Sequence, residues 1–454
     1  MHLLALPEEI LDHCCHHANA SCLKALRLTN SQLVASASKH LFEHVDVQPT
    51  TKSVARSKLV LEHTSLNPLV KSVTFNTSLR PNAWPHQTDY GEKDMKEAQL
   101  SKTFAAALHK IGRFGNVSRV SLKFAVECAA EETNFMLQKY VAERPAFRNR
   151  VLQALIKGLV DARHPADQLR ALEIKNLQNI VDVDVCESES FQRLLSRFTS
   201  LSLRVTSEFK EQSSLEKPEL HRFFNHELKT YWLHPVQAQL VHLKLYSAYM
   251  EWGYFPSCDL RSLHFPKLSS LALGSMTFTH DWQLEWILSH ASTLRSLILD
   301  DCPIIIASSL FADTGPHRDP PALELFHGPT GYEWYFAARW HDYFRRITEG
   351  LPKLTHFGYG SLDSVNDFED CFELSAAPYA SRYCIIHTGT LPSHLCYPRR
   401  KTRWEGKKAV PDGYYFDSCW ESPPPYPECD EEDQEALNEL LAVIAGRKAG
   451  EAWR

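Results

Sequence analysis

The stretch EILDHCCHH, residues 9–17, is rich in the two side chains that most often bind transition metals. Three histidines and two cysteines lie within five positions, and His13 and His17 are four residues apart, so both fall on one helical face. A tetrahedral site needs four ligands, and the cysteines fall on another face. We therefore predict no metal here. The histidines are either solvated side chains or a pH-sensitive cluster.

Two further pairs could in principle support catalysis. Asp300 and Asp301 follow an apolar segment, where paired carboxylates could act as acid and base, but solvated aspartates are also typical of such an exit from a strand. Cys384 and His387 lie close in sequence, yet no third member or oxyanion hole accompanies them. Phosphate-loop, dinucleotide, zinc-protease and serine-hydrolase motifs do not occur. We predict that the chain is not an enzyme and binds no cofactor.

The histidine-rich stretch belongs to a predicted amphipathic helix. Pro7 suits its first position, and Glu8 and Glu9 follow in the first turn, where the helix dipole favours negative charge. An apolar stripe predicts that both cysteines are buried and that the histidines face solvent. The stripe consists of Ile10, Leu11, Cys14, Cys15 and Ala18.

Two more short helices are predicted next, SCLKALRL (21–28) and NSQLVASASKHLF (30–42), the second with Asn30 as its N-cap. Three helices in about forty residues bury too small a core to be stable alone. This unit must therefore pack against the rest of the chain, against a partner, or against both.

The segment LPEEILDHCCHHANASCLKALRLTNSQLVASASKHLF (6–42) resembles the F-box of filamentous-fungal F-box proteins. The likeness covers about a tenth of the chain, and Ala18 and Cys22 depart from the family pattern. It implies that the segment docks onto a Skp-type adaptor, which links it to a cullin–RING ubiquitin ligase. The implied adaptor contacts are Leu6, Pro7, Ile10, Leu23, Leu26, Arg27 and Leu33.

An L-x-x-L-x-L motif with apolar substitutes recurs along the chain and predicts short strands with one buried face. The copies are VKSVTF (70–75), VSRVSL (117–122), LRALEI (169–174), FTSLSL (198–203), LVHLKL (240–245), LSSLAL (268–273) and LRSLIL (294–299), with a looser LTHF at 354–357. Helical patterns lie between them, at 98–111, 146–162, 189–198, 281–291 and 334–347.

This alternation predicts an α/β fold in which an irregular leucine-rich-repeat solenoid of strand–helix units follows the N-terminal helices. We expect three parts, an F-box (1–47), a solenoid (48–359) and a C-terminal cap (360–454). The cap should end in a helix near Gly446, with Leu437, Leu440, Leu441 and Ile444 as its apolar stripe.

The 454 residues are 44% hydrophobic and 23% charged, which is typical of a globular protein, and the net charge of -6 favours neither nucleic acid nor membrane. We expect no signal peptide, no membrane span, reduced cysteines and a place in the cytoplasm or nucleus. The basic RRKTRWEGKK (399–408) is either a phosphate-binding or nuclear-targeting segment or a solvated loop opposite the acidic ECDEED (428–433).

One cluster of aromatic residues could bind a protein partner or pack under a loop. It consists of Trp232, Tyr246, Tyr249, Trp252, Tyr254 and Phe255. The resemblance as a whole implies a substrate receptor of a Skp–cullin–F-box (SCF) ubiquitin ligase, which binds an unknown target protein through its repeats. The alternative is an interaction scaffold that acts outside a ligase.

Overall fold

The structure is a computed structural model. It describes residues 6–78, 99–125, 128, 143–161, 163–164, 166–207, 221–248, 251–310, 325–328, 331–361, 374, 376–379, 381–388, 394–396 and 426–452. Within these ranges, no helix combines the length and the apolar character that crossing a bilayer requires.

The chain is mixed α/β, and nine of its strands belong to a large parallel sheet. It divides into two compact units. Unit 1 comprises Met1–Leu177 and Asp182–Ser202, and unit 2 comprises Gln178–Val181 and Leu203–Arg454.

Unit 1 begins with three helices, after which strands and helices alternate. Its helices are α1 (Glu8–His16), α2 (Ala20–Thr29), α3 (Ser31–Phe42), α4 (Thr51–Glu62), α5 (Lys102–His109), α6 (Pro145–Leu159), α7 (Val183–Glu187) and α8 (Glu189–Leu195), with 3-10 turns at Asn67–Leu69 and Ile111–Arg113. Its strands are β1 (His44–Val47), β2 (Ser72–Asn76), β3 (Arg119–Lys123) and β4 (Ala171–Gln178), and β5 (Ser200–Thr206) starts in it. Strands β1 to β4 pair in sequence order and are parallel.

Unit 2 repeats the parallel arrangement and adds a second sheet. After a π-helix (Phe223–Leu233) and a 3-10 turn (His234–Val236) come β6 (His242–Ala248), β7 (Ser270–Gly274), α9 (Asp281–Leu288), β8 (Ser296–Asp300), β9 (Ile304–Leu310), β10 (Leu325–Gly328), β11 (Gly331–Tyr335), α10 (Trp340–Gly350), β12 (His356–Gly360), β13 (Tyr383–Thr388), β14 (His394–Cys396) and α11 (Asp430–Ala452). Strands β6, β7, β8 and β12 are parallel neighbours. The second sheet has the order β10-β11-β9-β13-β14.

One backbone motif recurs where the parallel strands begin. The carbonyl of Ser118 accepts hydrogen bonds from the N–H groups of both Arg170 and Ala171, at 2.9 and 3.0 Å. Ser269 does the same with Arg295 and Ser296 in unit 2. Further copies use the carbonyls of Glu43, Lys71, Arg170, Val241 and Arg295. Successive strand–helix segments therefore enter the sheet with the same local geometry, although the sequence between them varies in length.

The residues at the L positions of all eight predicted motif copies are buried, as the alternating pattern predicts. In LRALEI, Leu169 lies just before β4, and Leu172 and Ile174 lie on it. The other seven copies are buried at the same positions, including Leu354 and Phe357 in the looser copy. These side chains form the core between the parallel strands and the helices.

Two predicted helices need correction. The pattern at 334–347 is not one helix, because Trp334 and Tyr335 belong to β11 and the helix α10 begins at Trp340. The terminal helix does not end near Gly446 but continues to Ala452. A glycine is tolerated inside it because that position is exposed and, apart from the helix's own backbone, no atom lies within 4 Å of where a Cβ would stand, so no side-chain packing is lost.

Candidate functional site

The N-terminal three-helix unit, α1 to α3, has a small core of its own. Cys15, Leu23 and Ala37 are buried at its centre, and three partly buried residues, Ala18, Leu26 and Leu41, pack against them. The side chain of Asn30 accepts a hydrogen bond from the Gln32 N–H at 2.8 Å, which makes it the predicted N-cap of α3.

The seven predicted adaptor contacts fall into three groups by exposure. Pro7 and Ile10 are exposed, whereas Leu23 and Leu33 are each only 4% exposed and hold the helices together. The partly buried members are Leu6, Leu26 and Arg27. Arg27 places its guanidinium 4.9 Å from the ring centre of Phe42, a cation–π contact that fixes its direction.

The same unit exposes apolar residues that the sequence prediction missed. Leu28 is 89% exposed and Val34 is 38% exposed, beside 47% for Ile10. Cys14 was predicted to be buried and is exposed, because α1 turns only Leu11 and Cys15 fully into the core. Ile10, Leu28 and Val34 are half of the six large hydrophobic side chains that are exposed in the described part of the chain, so exposed apolar residues are concentrated on this unit.

The histidines of α1 face solvent as predicted, and they form a chain of edge-to-face rings. His13 contacts His17, with ring centres 4.7 Å apart, and His16 contacts His40 of α3 at 5.3 Å. Asp12 bonds to Lys39 and His40 at 2.7 and 3.0 Å. The Lys39 hydrogen bond, helped by His40, lowers the pKa of Asp12. These ties fasten α1 to α3.

The pairs considered for catalysis do not form an open site. Asp300 is buried at the end of β8, and Asp301 follows it with a positive φ of 48°. Cys384 is buried in an apolar cluster with Tyr254, Phe255, Ile305 and Phe336. The side chain of His387 and the basic segment 399–408 lie outside the described residues.

The aromatic residues considered as anchors for a partner are packed inside unit 2 where the structure describes them. Trp252 donates its indole N–H to the Gly274 carbonyl at 2.8 Å and stacks on Phe224. Five of the six aromatics are buried, and Tyr249 lies outside the described residues. These side chains are therefore core residues of unit 2 and not exposed anchors for a partner.

A buried polar cluster that the sequence did not indicate lies at the start of α11. The acidic run ECDEED supplies the first turn of this helix, and its last member, Asp433, is fully buried. Asp433 accepts hydrogen bonds from Arg382 Nε at 2.8 Å, from the Tyr383 hydroxyl at 2.9 Å and from the His341 backbone N–H at 3.0 Å. No sequence signal marks the cluster, because its members lie up to 92 residues apart.

Cys429 completes this cluster, with its Sγ 3.7 Å from Asp433 Oδ2. Burial raises the pKa of the Cys429 thiol and of the Tyr383 hydroxyl. Of the residues that the structure describes, His341, Cys429 and Asp433 are the one group of three whose ligand atoms come close enough to share a metal ion.

Comparison with known proteins gives no relative: no protein-family model matches the chain, and no curated protein is significantly similar to it.

Proposed function

We propose that this chain is the substrate receptor of an SCF ubiquitin ligase. In this proposal α1 to α3 are an F-box that binds a Skp-type adaptor, and the parallel strands belong to an irregular leucine-rich-repeat solenoid that binds the target protein. The adaptor joins the complex to a cullin. Ubiquitin transfer is then promoted by proximity, since a bound target meets the charged conjugating enzyme at high effective concentration.

The observation that carries the proposal is the exposed apolar surface of the three-helix unit. Pro7 and Ile10 match the F-box pattern and are exposed, and Leu28 and Val34 add apolar area on the same unit. Water contact at such side chains is unfavourable by about 25 cal/mol per Å² of apolar surface, so a partner that covers them gains binding free energy.

The outward face of the unit 1 strands supports target binding. Arg119, Glu173 and Lys175 lie on this face and keep solvent contact, and the alternate residues of the same strands are buried. Polar residues held by hydrogen-bonded strands are well suited to recognise a partner surface.

Affinity purification of the tagged full-length chain tests the proposal. An Ile10→Lys variant places a charge on the exposed surface without disturbing the core of Cys15, Leu23 and Ala37. The matched control is Leu59→Lys, since Leu59 is 69% exposed on α4, outside the three-helix unit. We expect wild type and the Leu59 variant to retain adaptor and cullin, and the Ile10 variant to lose both.

Other results would change the conclusion. Absence of adaptor from the wild-type purification at micromolar protein would refute the SCF proposal. Adaptor without cullin would instead support the alternative, an interaction scaffold outside a ligase.

A further inference from the structure

Three side chains with different ligand atoms converge in unit 2. The ligand atoms of His341, Cys429 and Asp433 all lie within 4.8 Å of one another. Imidazole nitrogen, thiolate sulfur and carboxylate oxygen are the donors that zinc takes in proteins. We propose that these residues bind one zinc ion, with water as the fourth ligand, and that the ion fastens α11 to α10.

The distances suit a tetrahedral ion after small shifts. His341 Nδ1 is 3.0 Å from Asp433 Oδ1, the oxygen that would bind the ion. Cys429 Sγ is 3.7 Å from the other carboxylate oxygen, Oδ2, and the three ligand atoms lie within 4.8 Å of one another. Zinc bonds of about 2.0–2.3 Å at tetrahedral angles separate two ligand atoms by about 3.3–3.6 Å. The ion would replace the proton shared by the imidazole and the carboxylate, and it would also displace the thiol proton.

Neighbouring groups hold one of the three ligands in place and lie close to a second. His341 Nε2 lies 3.6 Å from Asp342 Oδ1, which is too long for a hydrogen bond, so Asp342 would have to move closer to fix the tautomer of a metal ligand. Asp433 Oδ2 is held by Arg382 and Tyr383. The other oxygen, Oδ1, accepts the His341 backbone N–H at 3.0 Å and the Tyr383 hydroxyl at 3.1 Å, so the ion would displace that hydroxyl contact, which Tyr383 keeps with Oδ2 at 2.9 Å.

The Arg382 guanidinium does not take the place of the ion. Arg382 is shared between Asp433 and Asp430, so it neutralises only one of two carboxylates. It also bonds to Oδ2 and not to Oδ1. The His341 side chain is 18% exposed, so one of the three ligands is in contact with solvent.

Metal analysis of the purified full-length chain tests the proposal. We expect about one zinc per chain, and at least about a 100-fold loss of affinity in Cys429→Ser and in His341→Gln, since even outer-shell changes cost 10–100-fold. Cys258→Ser is the matched control, because Cys258 is also a buried thiol of unit 2 and lies outside the cluster. Its zinc content should equal that of wild type.

Cobalt spectroscopy decides the question without any substitution. Cobalt bound in this site should give a thiolate-to-metal charge-transfer absorption in wild type, so the test holds even if circular dichroism shows that the variants are unfolded. Wild-type protein that carries no zinc and shows no such absorption on cobalt addition would overturn the proposal. The cluster would then be an Arg382–Asp433 ion pair that needs no metal.

Discussion

The two units use the same strand motif but treat the outward sheet face differently. In unit 1 the middle row of this face is Thr74, Ser121 and Glu173, which are polar and mostly in partial contact with solvent. In unit 2 the same row begins with Lys244 on β6, which is partly buried, and continues with Ala272 and Ile298 on β7 and β8, which are buried. The motif thus fixes the inner core of both units, and the residues between the motif positions decide which outer face stays open.

Specific packing closes the face of unit 2. Tyr246, Ala272 and Ile298 form a buried cluster, and the side chain of Leu374 packs on it. Gly274 is required there, because a Cβ at that position would lie 2.0 Å from the Tyr246 ring. On the open face of unit 1, the Ser121 hydroxyl instead donates a hydrogen bond to Glu173 at 2.7 Å. Such a polar pair is compatible with a face that water reaches.

Introducing a charge on the outward sheet face should change the stability more than any other substitution considered, and it should distinguish unit 2 from unit 1 most clearly. Ile298→Lys buries an ammonium in an apolar cluster and should lower the free energy of unfolding of unit 2 by at least about 3 kcal/mol. Thr74→Lys, in the same row of unit 1, should change the stability by less than about 1 kcal/mol, because Thr74 contacts solvent and pairs with Asp46.

Urea unfolding checks this pair of variants. Nine of the ten tryptophans belong to unit 2, so tryptophan fluorescence reports that unit, and circular dichroism reports both. Equal losses in the two variants would mean that the faces do not differ.

Acid should destabilise unit 2 through His290, which is fully buried. Its Nε2 accepts the Phe265 N–H at 3.1 Å and its Nδ1 donates to the Trp286 carbonyl at 2.9 Å, so the neutral ring satisfies both nitrogens. Burial lowers the pKa of His290 to about 4. Between pH 6.5 and 4 the unfolded state binds the extra proton, so the unfolding free energy falls by about 1.4 kcal/mol per pH unit as the pH drops.

The measurement is the fluorescence-detected unfolding midpoint at pH 7, 6 and 5. His290→Gln should be less stable at pH 7 but should lose most of this slope. An identical slope in wild type and variant would show that another group is responsible.

Filling the space of one glycine should have an intermediate effect. Gly274→Ala forces the Tyr246 ring to move and should lower the stability of unit 2 by about 1–3 kcal/mol, the usual loss on overpacking. Gly115→Ala is the control, because no atom lies within 4 Å of its added Cβ. Differential scanning calorimetry should show a lower melting temperature only for the Gly274 variant.

The sequence predicts the inner face well, because Leu172 and Ile174, like their equivalents, obey a period of two that burial imposes. It cannot predict the second sheet, whose strands β9 and β13 pair across about 80 residues without a motif. It also cannot place Cys429 and Asp433 next to His341, since tertiary packing alone brings them together.

A helical stripe likewise does not distinguish Cys14 from Cys15, since adjacent positions at the edge of a stripe differ in burial only through the rotation of the helix about its axis.

A substitution on the open face of unit 1 should change the stability least and the binding of target proteins most. Arg119 is exposed at the start of β3, so Arg119→Glu should change the free energy of unfolding by less than about 0.5 kcal/mol. Arg113→Glu makes the same charge change at an exposed residue outside the strands. If the open face of unit 1 binds the target, the Arg119 variant should keep the adaptor and lose co-purifying target proteins, while the Arg113 variant keeps both.

Loss of the same proteins in both variants would point to net charge, and retention in both would exclude the Arg119 side chain as a determinant of target binding. The contrast between the units then has a functional meaning: the face that contributes least to stability through its side chains is the one that remains free to bind a partner.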